Sequence, residues 1–386
     1  MEDLHVYIHW PFCKSLCPYC DFNSMIQSGE NMPTMLQAYL AEIKWHAEKL
    51  KNTHMVKTIF FGGGTPSLMN ENEVESILKT IHDLFSVSEN PEITLEANPT
   101  SFEIEKFKDF KLAGINRISI GVQSFNDDSL SQIGRKHSSN EAKKAIENGM
   151  NIFGNVSFDI MFGLPNQTID MLGDDLKTAM QFNSQHISIY NLTIEKGTEF
   201  FIKNKNKLLN LPKTDTIDQM DDLIKNELYK NSFARYEVSN YSKKDFESKH
   251  NIAYWKIKDY IGIGPGAHGR FTDGDKRYES MTFHNPTKWY TKILNHESGF
   301  QKLNPVDESD QIKEILLMGL RIFDGIDIKD IKHRLNIDLL SQISTISLKN
   351  LSESGMIQLD SENNILKPTT KGIDFVSYIS KCLFSH

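Results

Sequence analysis

The sequence predicts an α/β protein: a partial (β/α)6 barrel followed by a C-terminal, mostly helical domain of winged-helix type. Two observations lead to this fold class. Short apolar segments alternate six times with segments of helical periodicity, which is typical of parallel strands joined by right-handed crossovers. After residue 304 the pattern changes to closely spaced helices and one short hairpin. A chain of 386 residues is long enough for more than one domain.

Each predicted strand is a short apolar run. These runs cover residues 4–9, 58–61, 92–96, 117–123, 156–162 and 186–190. The first predicted helix, 36–50, has apolar residues three and four positions apart, as expected for one buried face. Six such units suggest an open, three-quarter barrel. Polar residues at strand ends, Glu96, Gln123 and Asp159, then fall at the carboxyl edge of the sheet, where α/β folds build their sites.

The periodicity weakens after residue 198. We expect a helix over 214–231, an edge strand over 235–240, and neither helix nor strand in the glycine-rich segment 262–269. The predicted domains are residues 1–235 for the partial barrel, 236–304 for a connecting region and 305–386 for the C-terminal domain.

The C-terminal region predicts helices over 309–322, 327–333, 338–353 and 370–381, with a hairpin at 356–359 and 365–366. This order is typical of a winged helix, a fold that often binds DNA. However, residues 305–386 hold nine Lys and Arg against twelve Asp and Glu, so the basic footprint of a DNA-binding domain is missing. We interpret the region as a cover or a partner-docking domain.

Composition limits the function classes. The formal net charge is −8, which argues against a general nucleic-acid binder. The start of the chain shows no basic-then-apolar leader, and no apolar run approaches the roughly 18 residues that span a bilayer. Four cysteines, three of them clustered, fit a reduced compartment better than a disulfide framework. These features predict a cytoplasmic protein with at most peripheral membrane contact.

The clustered cysteines form the pattern Cys13-x₃-Cys17-x₂-Cys20 directly after the first strand. This spacing can place three thiolates around one [4Fe-4S] cluster and leaves one iron open for a non-protein ligand. A structural zinc site or incidental thiols are the alternative, but zinc sites usually add a fourth Cys or His at short spacing, and none follows here. We interpret the remaining cysteine, Cys382, as a surface or lightly packed thiol.

A glycine triplet, 62–64, follows the second strand and precedes Thr65. Glycines let the backbone approach a ligand closely, although such a run alone indicates only a tight turn. Together with the cysteine pattern it resembles the radical S-adenosylmethionine superfamily. In that superfamily the methionine moiety of S-adenosylmethionine occupies the open iron, and the glycine turn receives its amino group.

Further segments make the resemblance more specific. Glu96-Ala97-Asn98-Pro99, Gly121-Val122-Gln123-Ser124 and the segment 159–165 resemble the coproporphyrinogen III dehydrogenase family HemN and its relative, the haem chaperone family HemW. The resemblance implies that Cys13, Cys17 and Cys20 bind the cluster. It also implies an S-adenosylmethionine site made by Tyr7, Gly63, Gly64, Thr65, Glu96, Gln123, Arg135 and Asp159. Arg135 would pair with the methionine carboxylate, and the strand-end carboxylates would hold ribose hydroxyls.

Three features favour the HemW family. Asp21-Phe22 stands where the HemN pattern continues to a fourth cysteine, and the first strand begins almost at Met1, without the HemN extension. His250-Asn251-x₂-Tyr254-Trp255 matches the HNxxYW motif that is characteristic of HemW. The resemblance implies haem as a further cofactor, and His250 suits an axial iron ligand.

The aromatic residues Tyr254 and Trp255 offer flat surface for a porphyrin. The structural alternative is that both aromatics are core residues and His250 is their hydrogen-bonded neighbour. His268, in the glycine-rich segment, is the second candidate for the iron ligand.

The resemblance therefore implies a haem chaperone that delivers haem to haem-requiring proteins, including membrane-bound respiratory enzymes. The alternative is an oxygen-independent coproporphyrinogen III oxidase, which would cleave S-adenosylmethionine and take hydrogen from propionate side chains. A third possibility is radical modification of an unrelated substrate. The sequence leaves open whether S-adenosylmethionine is cleaved, whether haem is bound covalently, and the oligomeric state.

Overall fold

The computed structural model describes residues 1–29 and 31–384. Seventeen strands lie in this described part: β1 (Glu2–Trp10), β2 (Phe12–Cys13), β3 (Met25–Ile26), β4 (His54–Gly63), β5 (Ser86–Ala97), β6 (Arg117–Gln123), β7 (Val156–Phe162), β8 (His186–Asn191), β9 (Ala234–Arg235), β10 (Asn240–Ser242), β11 (Asp259–Ile263), β12 (His268–Asp273), β13 (Lys276–Thr282), β14 (Phe300–Pro305), β15 (Ile326–Asp327), β16 (Ile357–Asp360) and β17 (Ile365–Pro368).

Fifteen α-helices accompany these strands in the described residues: α1 (Met32–Leu50), α2 (Glu71–Leu84), α3 (Ser101–Glu105), α4 (Phe107–Leu112), α5 (Asp127–Gln132), α6 (Ser139–Phe153), α7 (Ile169–Met180), α8 (Glu199–Lys205), α9 (Thr214–Lys230), α10 (Lys249–Trp255), α11 (Pro286–Leu294), α12 (Glu308–Gly319), α13 (Ile328–Leu335), α14 (Thr345–Glu353) and α15 (Val376–Phe384).

The main sheet contains twelve strands in the order β14-β13-β12-β11-β1-β4-β5-β6-β7-β8-β10-β9. The six predicted strands are β1, β4, β5, β6, β7 and β8, and they are parallel neighbours, which confirms the predicted fold class. A seventh parallel strand, β11, pairs with the outer edge of β1. Antiparallel strands extend both edges. The carboxyl ends of seven parallel strands therefore meet at one edge of the sheet.

Local signals start and end the crossover helices. Asn70 and Glu73 form a reciprocal capping box at the start of α2, and Ser138 and Glu141 form another at the start of α6. Gly154 ends α6 with φ of +74°, in the left-handed region that favours glycine. The helices bury one face against the sheet, and one continuous apolar core fills the space between these layers.

Three predicted elements were wrong in detail. The glycine-rich segment 262–269 contains the end of β11 and the start of β12. Gly262 has no side chain, so the backbone of His268 can pack directly against it, and glycine here permits close strand approach. Residues 236–239 form the turn between β9 and β10, so 235–240 is not one edge strand. The predicted helix 338–353 is divided, because Ser344 caps a new helix by accepting from the Ser347 amide.

A second apolar cluster lies in the C-terminal region, where helices α12 to α15 pack around the small sheet β15-β17-β16. The antiparallel pair β16-β17 is the hairpin predicted at 356–359 and 365–366. Ion pairs connect this region to the rest of the chain: Asp374 accepts from Arg235 (2.8 Å), and Glu314 accepts from Arg270 (2.7 Å). The division at residues 235 and 304 remains a prediction. In the described residues, no helix has the length and apolar character needed to cross a bilayer.

Candidate functional site

The cysteine loop lies at the carboxyl end of β1. After β1, the chain forms the short parallel pair β2 and β3, in which Cys13 is opposite Ile26. The Cys20 amide donates to the Cys17 carbonyl oxygen (3.1 Å), which turns the loop back on itself. Pro18 packs against Gly134, where any side chain would collide with the proline ring. The loop is thus held by backbone pairing and by one close glycine contact.

The glycine triplet faces this loop from the end of β4. The Gly64 amide donates to the Trp10 carbonyl oxygen (2.6 Å), and the Thr65 amide donates to that of Phe12 (2.8 Å). Gly63 has φ of +111°, and a Cβ atom there would collide with the His9 ring. A Cβ atom on Gly64 would meet the Phe12 backbone. Both glycines are therefore required by the close approach of two loops.

A hydrogen-bonded chain links two of the cysteines. The Thr65 hydroxyl donates to Cys13 Sγ (3.5 Å), and Asn98 Nδ2 donates to Thr65 Oγ1 (3.0 Å). Arg135 Nη2 donates to Asn98 Oδ1 (2.6 Å), while Nη1 donates to Cys17 Sγ (3.6 Å). Each sulfur thus receives a donor from outside the loop, and such donors stabilise a thiolate.

The three thiols open into one cavity of about 300 Å³. Its lining includes all three cysteines and most of the predicted S-adenosylmethionine residues, namely Gly63, Gly64, Thr65, Glu96, Gln123, Arg135 and Asp159. Apart from Arg135, which follows helix α5, these residues lie on or directly after five neighbouring strands, β1, β4, β5, β6 and β7, as the positions of Glu96, Gln123 and Asp159 predicted. Gln123 ends β6 with φ of +69°, a strained conformation for a residue with a side chain.

Two carboxylates face the inner end of the cavity. Burial, together with the nearby charge of Asp159, raises the pKa of Glu96 to about 8. Burial also raises the pKa of Asp159 to about 6. The Gly63 amide donates to Glu96 Oε2 (3.2 Å), so this carboxylate also supports the glycine turn. The pair favours a ligand that brings hydroxyl donors or positive charge.

Tyr7 lies outside this cavity. It lines a smaller cavity of about 180 Å³ that shares Glu96 and Asp159 with the first. Its hydroxyl group is 3.0 Å from His9 Nδ1. A Cβ atom added to Gly62 would touch both Tyr7 and Glu96, so Tyr7 flanks Glu96 from the barrel interior. The structure therefore places Tyr7 behind the predicted ligand site and not on its surface.

His250 does not line the cysteine cavity either. It lies on α10, which covers the amino end of the barrel strands, and only 1% of the residue is exposed. Its Nδ1 is 2.6 Å from Thr58 Oγ1, and its Nε2 is 2.7 Å from the Tyr254 hydroxyl. Burial holds the pKa of His250 well below its usual value. Both ring nitrogens are engaged, so in this conformation His250 offers none to a haem iron.

The aromatic neighbours Tyr254 and Trp255 are half-buried, and Trp255 lines a separate cavity of about 690 Å³. Tyr254 packs edge-on against Tyr260 with 4.5 Å between ring centroids, and the Arg321 guanidinium lies 4.5 Å from the Trp255 ring centre. The contacts of His250 and Tyr254 match the structural alternative, a hydrogen-bonded core histidine beside a packed aromatic ring. Haem contact by the HNxxYW motif remains a prediction.

Asn98 and Tyr190 were not predicted as site residues from the sequence. Asn98 bridges Thr65 and Arg135, and Tyr190 lines the cavity near the end of β8. Both could have been predicted as site residues, because each ends or closely follows a predicted strand at the carboxyl edge of the sheet, as Glu96 does. Their side-chain directions depend on the curvature of the sheet, which residue spacing does not specify.

The donor set fits a [4Fe-4S] cluster. All three thiols are free and partly buried, and burial raises the pKa of Cys13 and Cys20. Within residues 1–29 and 31–384, no three His, Cys, Asp or Glu side chains form a group that could hold one metal ion. A [4Fe-4S] cluster binds each thiolate at a different iron, so its ligands stand farther apart than those of a single ion.

Comparison with known proteins agrees with this geometry. Residues 7–179 match the radical SAM superfamily, and residues 306–375 match the HemN C-terminal domain. The chain is 35% identical over 355 residues to "Heme chaperone HemW" of Bacillus subtilis, covering 91% of this chain and 92% of that protein. It is 42% identical over 333 residues to the protein of the same name from Haemophilus influenzae, covering 84% of each.

A solved structure shares the fold over nearly the whole chain. Coproporphyrinogen III oxidase (HemN) from Escherichia coli, a radical SAM enzyme, matches with a TM-score of 0.80 over 99% of this chain and 90% of that chain. Its sequence identity is 20%, so this match shows the fold alone. The identities to the HemW proteins, over most of both chains, show the closer relationship. The chain therefore belongs to the HemW family of the radical SAM superfamily.

Proposed function

We propose that this protein is a radical SAM haem chaperone, which binds haem and delivers it to haem-requiring proteins. The observation that carries the proposal is its relationship to proteins named heme chaperone HemW over most of both chains. The loop sequence supports it, since Asp21-Phe22 follows Cys20 where the HemN pattern has a further cysteine. The HemN fold is common to carrier and oxidase and does not separate them.

In this proposal Cys13, Cys17 and Cys20 bind the [4Fe-4S] cluster that the family implies. When bound, the cluster supplies one-electron chemistry and an open iron for S-adenosylmethionine. The protein supplies sulfur ligands at partly buried positions. Thr65 and Arg135 donate to two of these sulfurs and would stabilise their thiolate forms.

The neighbouring residues would hold S-adenosylmethionine. We assign the amino group to the turn Gly63-Gly64-Thr65, the methionine carboxylate to Arg135, and the ribose hydroxyls to Glu96, Asp159 and the Gln123 amide. The guanidinium of Arg135 is oriented in advance by Asn98 and the Gly121 carbonyl oxygen (2.7 Å). Tyr7 would act indirectly, by supporting Glu96 from the barrel interior.

The setting of the proposed function is the cytoplasm. Haem and haem-accepting proteins, including membrane-bound respiratory enzymes, are the proposed partners. A nucleic acid is not among them, since the C-terminal region carries more acidic than basic residues. Contact with membrane-bound acceptors would be peripheral.

The test uses the full chain, reconstituted anaerobically with iron and sulfide. We expect an absorbance typical of a [4Fe-4S] cluster, S-adenosylmethionine binding, and a saturable, stoichiometric Soret shift on titration with haem. Cys13→Ala should lose the cluster absorbance, whereas Cys382→Ala, which changes the thiol outside the loop, should keep it.

The oxidase alternative is tested in the same preparation. With coproporphyrinogen III, S-adenosylmethionine and reductant, a chaperone should form no protoporphyrinogen. Formation of that product, or the absence of any saturable Soret shift, would reject the chaperone proposal. The haem titration also includes His250→Ala, because the HNxxYW motif makes His250 a predicted iron ligand.

A further inference from the structure

The inner faces of four neighbouring barrel strands, β5 to β8, carry polar side chains. Residues two positions apart on a strand point to the same face of the sheet. The strand registers bring together the pairs Glu96–Ser119, Ser119–Ser157 and Asp159–Ser188. All of these residues line the smaller cavity of about 180 Å³. Barrel interiors are normally filled by bulky apolar side chains, so a polar interior at this place indicates a functional requirement.

Arg117 brings a positive charge to the same cavity. It begins β6, and only 2% of the residue is exposed. Its Nη1 donates to Thr94 Oγ1 at 3.5 Å, a long distance for such a donor. Within the described ranges 1–29 and 31–384 it forms no direct ion pair, and its Nε has no hydrogen-bond partner. A buried guanidinium with so few direct partners needs compensating charge from across the cavity.

Glu96 and Asp159 supply this compensating charge, since both line the cavity with Arg117. Burial raises the pKa of both carboxyl groups, and the positive charge of Arg117 acts on both in the opposite direction. A cavity of about 180 Å³ has room for several water molecules, each with a share of roughly 30 Å³. Serine hydroxyls on its wall give these waters partners, so water can bridge the guanidinium and the carboxylates.

Other titratable or charged groups face this set from the surrounding elements: Tyr7 on β1, Arg135 after α5, His186 and Tyr190 on β8, and His250 and Tyr254 on α10. Burial holds the pKa values of both histidines well below, and those of the three tyrosines well above, their ordinary values. Glu92, Tyr236 and Glu237 do not line the cavity. Among the groups that line it, only Glu96 and Asp159 therefore change charge near neutral pH.

We propose that Arg117 is a positioning residue for S-adenosylmethionine, whose charge keeps one carboxyl group of the Glu96–Asp159 pair ionised to accept from the ribose hydroxyls. This inference rests on the proposed function, which assigns the ribose to these carboxylates. Arg117 lines the smaller cavity and not the cysteine cavity, so it acts through the carboxylates. With one proton on the pair, the three groups together carry no net charge, which lowers the cost of burying them.

The first test is calorimetric titration of the reconstituted full chain with S-adenosylmethionine between about pH 5 and pH 8.5. The affinity of wild type should rise with pH around a midpoint near pH 6, the pKa of Asp159. Arg117→Gln should move this midpoint upward by about 1–2 pH units and weaken binding at pH 7 by about twofold to tenfold, because a nearby opposite charge lowers a carboxyl pKa.

Two controls accompany this titration. Arg117→Lys keeps the positive charge and should keep the midpoint of wild type. Arg270→Met changes an arginine that lines neither cavity, so its binding should match wild type at every pH. A merely structural role of Arg117 would weaken binding without moving the midpoint.

The second test needs no cofactor and measures urea unfolding at pH 6 and pH 8. Arg117→Gln leaves a buried carboxylate without its cation, so its stability should fall relative to wild type as pH rises. The double variant Arg117→Gln/Asp159→Asn removes cation and carboxylate together and should recover stability at pH 8. This recovery is informative even where the single variant does not fold.

The outcomes separate this inference from the proposed function. If Arg117→Gln weakens binding equally at every pH, or the double variant recovers no stability, the inference is overturned and the proposed function stands. A midpoint moved upward in Arg117→Gln and kept in Arg117→Lys supports the inference. If wild type does not bind S-adenosylmethionine, the proposed cofactor site fails, and this inference fails with it.

Discussion

Gln123 ends β6 in the left-handed region, with φ of +69°. A residue with a Cβ atom in this conformation costs about 1–2 kcal/mol relative to glycine. This backbone conformation directs the Gln123 side chain into the cavity, where its Nε2 lies close to Gly121. At the residue scale, the protein therefore has a lower folding stability at Gln123 because its side chain must point into the cavity.

Two variants of Gln123 test whether its backbone conformation is strained and whether its amide binds ligand. Both Gln123→Ala and Gln123→Gly remove the amide, so we expect both to weaken S-adenosylmethionine binding to a similar extent. Gln123→Gly should be about 1 kcal/mol more stable than Gln123→Ala, because glycine accepts positive φ without strain. Urea unfolding and calorimetric titration would measure the two effects. Equal stabilities of the two variants would argue against backbone strain.

Glu42 is a second buried carboxyl group, on α1. It accepts from the Gly264 amide (2.8 Å) and from Trp289 Nε1 (3.2 Å), and it thereby holds the turn that leads to His268. Burial raises its pKa from the ordinary 4.5 to about 8. Between these values the folded state binds more protons than the unfolded state, so stability falls as pH rises.

We therefore predict that Glu42→Gln flattens the pH dependence of stability. Relative to the variant, wild type should lose stability from about pH 4.5 to pH 8 and then level off, with about 1.4 kcal/mol for each unit of pKa difference as the upper slope. Denaturant unfolding at several pH values would show this. The exposed Glu48→Gln on the same helix is the control, and parallel slopes for Glu42→Gln and wild type would contradict the prediction.

At the scale of elements, helix α10 covers the amino end of the barrel, and the hydroxyl group of Thr58 helps to hold it there. Thr58 Oγ1 lies 2.8 Å from His5 Nδ1 and 2.6 Å from His250 Nδ1, and all three side chains are buried. The hydroxyl can donate to one ring and accept from the other. The Glu92 carboxylate also accepts from the His250 amide (3.1 Å), so α10 is fixed to β4 and β5 together.

Thr58→Val should therefore destabilise the protein by about 2–4 kcal/mol, since it leaves two buried ring nitrogens without a partner. Thr58→Ser keeps the hydroxyl group and should lose less. Urea unfolding measures both free energies. A Thr58→Val variant as stable as Thr58→Ser would show that the hydroxyl bridge contributes little and that packing alone holds α10.

At the scale of the whole molecule, the two largest apolar clusters of the described residues divide most of the chain. The larger one spans the sheet and its helices, and the smaller one joins α12 to α15 with Ile257 from the segment after α10. Ion pairs such as Asp374 with Arg235 connect the two regions at partly exposed positions, where such pairs contribute little. We expect the regions to be separable in unfolding.

Leu366→Ala tests this expectation. Leu366 is fully buried on β17, and the cavity left by alanine should cost the C-terminal region about 2–5 kcal/mol. The cluster absorbance of the barrel should persist at denaturant concentrations where the C-terminal region has unfolded. The exposed Ile346→Ala serves as control, at 74% exposure. A single transition that removes the cluster absorbance together with C-terminal structure would indicate one cooperative unit.

The sequence by itself determined the parallel strands, the clustering of three cysteines and most of the cavity lining. These features depend on local pattern: apolar runs specify strands, and polar residues at strand ends meet at one edge because parallel strands share a direction. Thr65, Glu96, Gln123 and Asp159 lie on or directly after parallel strands and line the cavity, as does Arg135, which instead follows helix α5.

Only the tertiary structure decided the positions of Tyr7, His250 and His268. Tyr7 and His250 occur in specific motifs, yet burial and hydrogen bonds place them inside the barrel. His268 lies near the carboxyl edge of the parallel strands because β11 pairs with β1. This pairing joins residues about 250 positions apart along the chain. Spacing predicts which residues share a strand, whereas long-range pairing decides which strand ends meet and which side chains remain open to a ligand.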